Sequence, residues 1–462
     1  MKKTFRSVVL LLVIAAMLFS LFACGSSGGK DDEKEENTPK VEGVNINTDK
    51  WKGKSLVMCM SWMGTDEEII AAGGDKDVQA SDKFSPTGRK PFEDATGTTI
   101  INRPIPAGED YVTKIVTEVS AGMGPDLVSF WPSAKPAWFL KNILTPLSDY
   151  IDFNQPKYQD NSLISQDVKN YYTWAGKVYA MNGVQLGARM YYNKEKFTNA
   201  GLEDPLELWK QDKWNWEKFW ELGAALTQDA DGDGVMDQYG YCTWFFENGF
   251  MTSNNVDYVT YDESGMPKFA LDEKFVKAKQ AADDTINKYK IAPSVWWDPN
   301  PQDRFWNGEI AMDYWGYWEM PGMVEHMGDK LGMAPFPRGP DLPADLKNRD
   351  VAETIGLGVT GTAKDPDLAS LYLEWCRETT PEAKAIGDAK ALEQYGSQEM
   401  LDLAKEWAGN SIQTDYSGFG QGFADALNLI LNKPADKSWQ QAIDENKAAV
   451  QKALDDSIVN MK

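Results

Sequence analysis

The chain has 462 residues, of which 42% are hydrophobic and 25% are charged, and this is enough apolar material for two or three ordinary domains with packed cores. Lys and Arg number 47 against 70 Asp and Glu, and the formal charge of -23 excludes nucleic acid as the natural partner, because contacts to phosphates need a basic surface. The single histidine, His326, excludes a zinc site built on two or three histidines.

Residues 1–23 have the pattern of a secretion signal. Lys2, Lys3 and Arg6 form a short basic region, and an apolar run from Val8 to Phe22 follows it. The ending before Cys24 resembles the bacterial lipoprotein signal, in which the cysteine is lipidated and becomes the N-terminus. We therefore expect a lipid anchor at Cys24 and a location on the extracellular face of the bacterial membrane. The alternative is an ordinary cleaved leader.

Residues 24–50 are predicted to form a flexible tether between the membrane and the globular part of the chain. The stretch from Gly25 to Asn45 is rich in Gly, Ser, Lys, Asp and Glu and has almost nothing apolar to bury. Beyond the tether, Cys59, Cys242 and Cys376 allow at most one disulfide. Each has hydrophobic neighbours, which favours buried free thiols.

The globular part begins near Trp51 with alternating strands and helices. Strands are predicted at Lys54–Trp62, Thr98–Pro104 and Asp126–Phe130, and helices at Phe92–Ala95, Tyr111–Ser120 and Ala137–Ile143. Strand-helix alternation at this spacing predicts α/β units.

The middle of the chain continues with a strand pair near Trp174–Met181 and Gly187–Tyr192 and a helix over Trp216–Leu226. Asn215 is a suitable N-cap for this helix, and Gly223 on its apolar face would allow a neighbouring element to approach closely. The later predicted helices are Glu273–Asn287, Pro366–Arg377, Glu399–Ala408, Phe423–Leu431 and Trp439–Ser457.

The acidic segment from Asp229 to Asp237 has the spacing of a calcium-binding loop. Its oxygen ligands would be the side chains at alternate positions and one backbone carbonyl: Asp229, Asp231, Asp233, Asp237 and the carbonyl of Val235. The segment departs from the pattern where Gly240 replaces the usual bidentate glutamate, so a further ligand must come from elsewhere. We predict a structural Ca²⁺ here, and the alternative is a solvated acidic turn.

Aromatic residues are abundant, with 18 Trp, 18 Tyr and 19 Phe. Many lie beside polar groups and chain breakers, as in Phe130-Trp131-Pro132 and Trp296-Trp297-Asp298-Pro299. Flat rings flanked by carboxylates and amides suit sugars, which present an apolar C–H face and a rim of hydroxyls. The alternative for any one ring is ordinary core packing.

The order of several short motifs resembles the extracellular solute-binding proteins of carbohydrate ABC transporters, the maltose-binding-protein-like group. The motifs run along most of the chain: Phe92-Glu93-Asp94-Ala95-Thr96-Gly97, Gly122-Met123-Gly124-Pro125-Asp126-Leu127, Gly176-Lys177-Val178-Tyr179-Ala180, Met190-Tyr191-Tyr192-Asn193-Lys194 and Trp306-Asn307-Gly308-Glu309-Ile310-Ala311-Met312. Each motif alone is weak, whereas their shared order is specific.

This resemblance implies an α/β protein with the two-lobed type II periplasmic-binding-protein fold, in which a ligand is trapped between hinged lobes. The first lobe would comprise residues 51–186 and 356–388, and the second residues 187–355 and 389–462. Crossings between the lobes would lie near Val184–Arg189, Arg349–Val359 and Ala385–Ala391.

The resemblance also implies ligand-binding residues after the strand ends that face the cleft. By position these are Trp62, Trp131, Trp244 and Trp318, with Tyr416 or Phe419 before the last helices and with Trp315 and Asp126 as further candidates. The resemblance implies a lipid-anchored, monomeric receptor that captures a carbohydrate, and an oligosaccharide is the ligand we expect. The receptor would deliver this ligand to the permease subunits of an ABC transporter without catalysis. The alternatives are a secreted glycoside hydrolase and a receptor for a non-sugar solute.

Overall fold

The computed structural model describes residues 48–60, 71, 89–105, 111–159, 172–243, 246–262, 266–293, 301–316, 319–377, 389, 391–407, 411–412 and 416–461. These residues belong to one compact unit within Lys40–Lys462. Among them, no helix combines the length and the apolar character that a membrane crossing requires.

The described strands form one large mixed sheet and two small hairpins. Strands β1 to β7 are Ser55–Cys59, Thr99–Asn102, Leu127–Phe130, Thr173–Trp174, Lys177–Val178, Met181–Asn193 and Tyr239–Cys242. Strands β8 to β13 are Val259–Tyr261, Pro267–Phe269, Ile310–Gly316, Leu331–Ala334, Asp350–Val359 and Ser411–Ile412. The large sheet has the order β2-β1-β3-β12-β6-β10-β7, while β11 also pairs with β6 and β13 with β12. β4 pairs with β5, and β8 pairs with β9.

Fifteen described helices accompany these strands, and several of them pack against the large sheet. Helices α1 to α8 are Thr48–Trp51, Arg89–Thr96, Tyr111–Ser120, Ala137–Leu140, Lys194–Asn199, Pro205–Lys210, Trp216–Leu226 and Phe246–Ser253. Helices α9 to α15 are Glu273–Asn287, Pro301–Trp306, Met320–Met327, Pro366–Arg377, Gln398–Trp407, Gln421–Leu431 and Trp439–Met461. The mixed α/β architecture predicted from the sequence is confirmed.

Two long strands join the two lobes. The first part of β6 pairs with β12, from Met181 to Gly187, and the second part pairs with β10, from Ala188 to Tyr192. β12 in turn pairs with β3 through Gly356–Val359. The strands β2, β1 and β3 therefore lie on one side of this junction, in the first lobe, and β10, β7 and β11 lie on the other, in the second.

The predicted crossings can be placed on this topology. The crossing near Val184–Arg189 contains the point where β6 changes partners, and the crossing near Arg349–Val359 coincides with β12. The crossing near Ala385–Ala391 lies mostly outside the described residues. The residue boundaries of the lobes stay a prediction.

Local sequence signals account for several helix starts in the second lobe. The side chain of Asn215 accepts a hydrogen bond from the backbone N–H of Lys218, so the predicted N-cap of α7 is confirmed. Asp204 and Asp272 cap α6 and α9 in the same way. The apolar face of α7, with Phe219 and Leu226, is buried in the core.

The predicted state of the cysteines is also confirmed. Cys59, Cys242 and Cys376 are not joined in a disulfide, and all three are buried. Burial raises the pKa of the Cys59 thiol to about 11 and that of Cys376 to about 12, because a thiolate is poorly solvated in an apolar interior. Both thiols are therefore unreactive at neutral pH.

Candidate ligand-binding site

Side chains of the two lobes meet in a contact region that we name the interlobe seam. It consists of Trp131, Lys135, Trp174, Tyr258, Tyr261, Tyr416 and Phe419. The turn Pro132–Ala134, which follows β3 in the first lobe, packs against the turn Ser417–Phe419, which precedes α14. The helices behind these turns, α4 and α15, are in contact as well. The seam therefore joins the loop after β3 to the C-terminal helices.

Trp131 follows β3 directly, and its side chain is half-buried. Its carbonyl accepts a hydrogen bond of 2.9 Å from the backbone N–H of Ala134, which closes the turn toward Lys135. The sequence-based prediction placed Trp131 at the end of this strand, and the structure places it at the start of the seam. Its contact with a ligand stays a prediction.

Lys135 lies between aromatic rings of both lobes. Its Nζ is 5.9 Å from the ring centroid of Trp174, on β4 of the first lobe, and 5.0 Å from that of Tyr261, on β8 of the second. The two rings meet edge to face with centroids 5.7 Å apart. Burial lowers the pKa of Lys135 to about 8. None of these three residues was identified from the sequence.

Tyr416 and Phe419 form the other end of the seam. The ring of Tyr416 lies 5.9 Å from that of Tyr258 and 6.5 Å from that of Phe419. Beside them, Arg349 forms an ion pair of 2.9 Å with Asp257. Burial is the main cause that raises the pKa of Tyr416, with Asp257 contributing, so its hydroxyl stays protonated.

Three other predicted ligand residues are buried more deeply than an open platform would be. Phe419 is 2% exposed, Trp315 on β10 is 2% exposed, and Asp126 is 3% exposed. Trp315 lies opposite Arg189 on β6, inside the second lobe. Both rings, of Trp315 and of Phe419, are used in packing, and their contact with a ligand stays a prediction. Trp62, Trp244 and Trp318 lie outside the described residues.

Asp126 holds strands together instead of facing a ligand. One carboxylate oxygen accepts the backbone N–H of Val57 at 2.7 Å, and the other accepts the backbone N–H of Lys364 at 2.9 Å. Its own backbone N–H donates to the Val57 carbonyl, and its carbonyl accepts from Thr360. Asp126 thus ties β1 to the start of β3 and to the segment after β12, and this corrects its assignment as a ligand residue.

A second polar group that the sequence reasoning missed is Asp313, in the middle of β10. It is fully buried, and no described residue donates a hydrogen bond to either of its carboxylate oxygens. Burial, with a smaller effect from Glu319, raises its pKa well above the ordinary range. Its strand neighbour on β6 is Tyr191, whose buried hydroxyl also has no partner among the described residues. The sequence did contain a signal for this group, because Asp313 is a charged residue inside the otherwise apolar segment 310–316.

The acidic loop after α7 brings several carboxylates together. Oxygen atoms of Asp229, Asp231 and Asp237 lie within 4.8 Å of one another. Asp229 accepts the backbone N–H groups of Gly232 and Gly234 at 2.7 and 2.9 Å, and these bonds fold the loop around it. This oxygen-rich donor set fits a hard cation such as Ca²⁺.

The two remaining predicted ligands lie in the same loop. The side chain of Asp233 accepts the backbone N–H of Val235 at 2.8 Å, and the side chain of Val235 is exposed. Asp233 is outside the close group of three carboxylates. The predicted contribution of Val235 is its backbone carbonyl.

The structure explains why the loop departs from the calcium-binding pattern at Gly240. This residue lies in β7, and a Cβ added to it would lie 2.7 Å from the backbone Cα and C atoms of Gly223 on α7. No side chain fits between the strand and the helix at this point. The close approach predicted for Gly223 is therefore confirmed, and any further cation ligand must come from another part of the loop or from water.

The fold is similar to those of several solved substrate-binding proteins. An ABC substrate-binding protein from Listeria monocytogenes, solved with cycloalternan, has 18% identity and a TM-score of 0.60 over 87% of this chain and 99% of its own. The GacH receptor of Streptomyces glaucescens has 18% identity and a TM-score of 0.61 over 87% and 99%. The maltotriose-binding protein of Thermus thermophilus has 18% identity and a TM-score of 0.58 over 86% and 100%. At identities this low, the structural similarity shows the two-lobed fold alone.

Sequence comparisons give the family. No curated protein sequence matches the chain. The sequence model of the bacterial extracellular solute-binding protein family matches residues 89–392. This range includes β2 and β3, the long crossing strands β6 and β12, and the acidic loop. The match spans more than half of the chain, so this protein belongs to the bacterial extracellular solute-binding protein family.

Proposed function

We propose that this protein is a lipid-anchored receptor that captures a carbohydrate between its lobes and delivers it to an ABC permease. The observation that carries the proposal is the interlobe seam, in which rings and polar groups of both lobes converge beside the strands that join them. Aromatic faces next to hydrogen-bonding groups are the usual way in which proteins hold sugars. Closure of two lobes around such a ligand requires no catalytic group.

Known ligands of similar structures support a carbohydrate. The Listeria monocytogenes protein is in complex with cycloalternan, the GacH receptor with acarbose and a homolog, and the Thermus thermophilus protein with maltotriose. These ligands are oligosaccharides or close analogues of them. By analogy we infer an oligosaccharide for this chain as well.

Membrane attachment is the second part of the proposal. The signal pattern of residues 1–23, Cys24 and the polar stretch after it favour a lipid anchor with a tether, and all of this lies outside the described residues. In a bacterial host, the Cys24→Ser variant is expected to lose incorporation of a labelled fatty acid. Unchanged labelling of that variant would contradict the anchor.

The experiment for ligand capture is calorimetric titration with mono- and oligosaccharides, preceded by a thermal-shift screen. A ligand that binds only the folded state raises the melting temperature, so a bound sugar is detected before its affinity is known. We expect micromolar binding of at least one oligosaccharide without its turnover. Release of reducing sugar from that ligand would instead support the glycoside hydrolase alternative.

The Trp131→Ala variant is expected to bind the identified sugar about tenfold more weakly, because the stacking and the buried area of one well-placed ring together contribute about 1.4 kcal/mol. Trp306 provides a matched control, since it is also a half-buried tryptophan but stacks on His326 with centroids 4.1 Å apart, away from the seam. Trp306→Ala should keep the wild-type affinity in titration calorimetry. Equal losses in both variants would contradict a specific role for Trp131.

We further propose that the acidic loop binds a structural Ca²⁺. The convergence of three carboxylates and the folding of the loop around Asp229 support this assignment. The ion would fix the junction between α7 and β7, which the loop connects. It supplies a positive charge that offsets the repulsion among these carboxylates.

Removing this ion is expected to lower the stability of the whole domain. At a Ca²⁺ concentration about 100 times the dissociation constant, binding contributes about 2.7 kcal/mol, and a chelator should remove this amount in thermal unfolding. The Asp231→Asn variant should lose most of the calcium response. Asp436→Asn, which changes an exposed acidic residue elsewhere, should retain it. A melting temperature that is insensitive to the chelator would contradict the site.

A further inference from the structure

Within the described part of the chain, Lys135 differs from the buried basic residues Lys279 and Arg89 in having no acidic partner. It is 6% exposed, and no described residue forms an ion pair or a hydrogen bond with its ammonium group. By contrast, buried Lys279 pairs with Glu247, and buried Arg89 lies 3.8 Å from a carboxylate oxygen of Glu93. Buried charges in proteins are usually paired, so this ammonium needs an explanation.

The surroundings of Lys135 satisfy its charge only in part. The rings of Trp174 and Tyr261 present faces to the ammonium, but an aromatic face replaces little of the solvation that water or a carboxylate gives. Burial accordingly lowers its pKa to about 8. The hydroxyl of Tyr261 is buried as well and has no partner among the described residues. An ammonium and a hydroxyl, neither with an ionic or hydrogen-bonding partner among the described residues, therefore lie at one place in the seam.

We propose that the Lys135 ammonium receives a carboxylate of the ligand, so that the cleft selects an acidic oligosaccharide, one that contains a uronic acid, over a neutral one. This inference rests on the proposed carbohydrate-binding function and names its substrate class. A uronic acid residue carries an apolar ring face for Trp174 and a carboxylate for Lys135. It also carries hydroxyls that can pair with Tyr261.

Access to Lys135 follows from the position of the seam between the lobes. Lys135 and Trp174 belong to the first lobe and Tyr261 to the second, so opening of the lobes would lift the Tyr261 ring from the ammonium. A ligand carboxylate can then enter before closure. The overall charge of -23 does not prevent this, because charges farther away than about 10 Å are largely screened at physiological salt.

The test uses matched sugars that differ only in charge. Trigalacturonate, trimannuronate and cellobiouronate are each titrated as the free acid and as the carboxyl methyl ester, together with neutral oligosaccharides. We expect the best ligand to be an acid that binds about 30-fold more tightly than its own ester, as one charge-assisted hydrogen bond allows.

Two variants assign this preference to Lys135. Lys135→Met keeps the length and apolar stem of the side chain, and it should bind acid and ester equally. Lys135→Arg keeps the charge and should retain part of the preference. If instead the tightest ligand is neutral and Lys135→Met binds it normally, the acidic class is wrong while the carbohydrate function stands. If no saccharide binds, both proposals fail.

The melting temperatures of Lys135→Met and the wild type, measured without ligand, distinguish a binding role of Lys135 from a structural one. The folded pKa of Lys135, about 8, lies below its ordinary value of 10.5, so the fold disfavours the charged form and this penalty is complete below pH 8. Lys135→Met should therefore melt at the wild-type temperature or above it at pH 7. The difference should shrink as the pH rises toward 10, where wild-type Lys135 loses its proton while Tyr261, whose pKa is raised by burial, keeps its own. A lower melting temperature for Lys135→Met at pH 7 would show that Lys135 serves the fold, and this would overturn the proposal.

Discussion

Replacing Gly240 with alanine is expected to lower the free energy of unfolding by about 3 kcal/mol or more. A methyl group on β7 at this position would lie 2.7 Å from the backbone Cα and C atoms of Gly223, which is closer than carbon atoms approach in folded proteins. The obstacle is the backbone of α7, not a flexible side chain that can rotate away. The helix would have to move off the sheet, and its buried face would lose contacts with the core.

Urea denaturation of the variant and the wild type measures this loss directly. Gly422 provides the control, because it lies exposed on α14 and a Cβ there would meet no atom within 4 Å. Gly422→Ala should leave the stability unchanged or raise it by about 1 kcal/mol through its better helix propensity. A Gly240→Ala variant as stable as Gly422→Ala would mean that α7 and β7 are not in contact as described.

The α7 to β7 connection was also the part of the fold that could best be predicted from the sequence. The apolar spacing of Trp216–Leu226 and the cap at Asn215 predict this helix, and the structure has the same bounds. What the calcium pattern could not reveal is why its last ligand is missing. That reason, the contact between Gly240 and Gly223, is tertiary and has no local signal.

The crossing strand β6 shows a different limit of sequence reasoning. Its residues were predicted as parts of two separate strands, ending near Met181 and beginning again near Gly187, whereas the structure has one strand of 13 residues. Local pattern reports whether a residue is extended, but it does not report which strand is its partner. The exchange of partners between Gly187 and Ala188 is visible only in the assembled sheet.

The ligand site also has residues that local sequence patterns can identify and residues that only tertiary contacts reveal. Trp131 and Tyr416 could be placed in the seam by resemblance, because both lie at fixed positions relative to strand or helix ends. Lys135, by contrast, is one of 47 basic residues, and nothing local distinguishes it. Its unusual property is that no residue of the described part of the chain pairs with its ammonium. This depends on the folded position between Trp174 and Tyr261, which are distant in the chain.

Replacing Asp126 with alanine is expected to destabilise the first lobe by about 3 kcal/mol. The substitution removes a buried acceptor from two part-buried backbone N–H groups, those of Val57 and Lys364, and an unpaired donor costs about 1 to 3 kcal/mol, less where water can reach it. These N–H groups belong to β1 and to the segment after β12. The substitution therefore weakens two attachments to the start of β3, that of β1 and that of this segment.

Asp126→Asn is the informative companion variant, because its amide keeps one acceptor oxygen and loses the other. It should therefore lose about half of the stability that Asp126→Ala loses, as measured by urea denaturation. Both variants, assayed well below their melting temperatures, should keep the sugar affinity of the wild type, since both carboxylate oxygens of the buried Asp126 already accept backbone N–H groups. Lost affinity at unchanged stability would instead restore Asp126 as a ligand residue, and the N–H groups of Val57 and Lys364 would then need other acceptors.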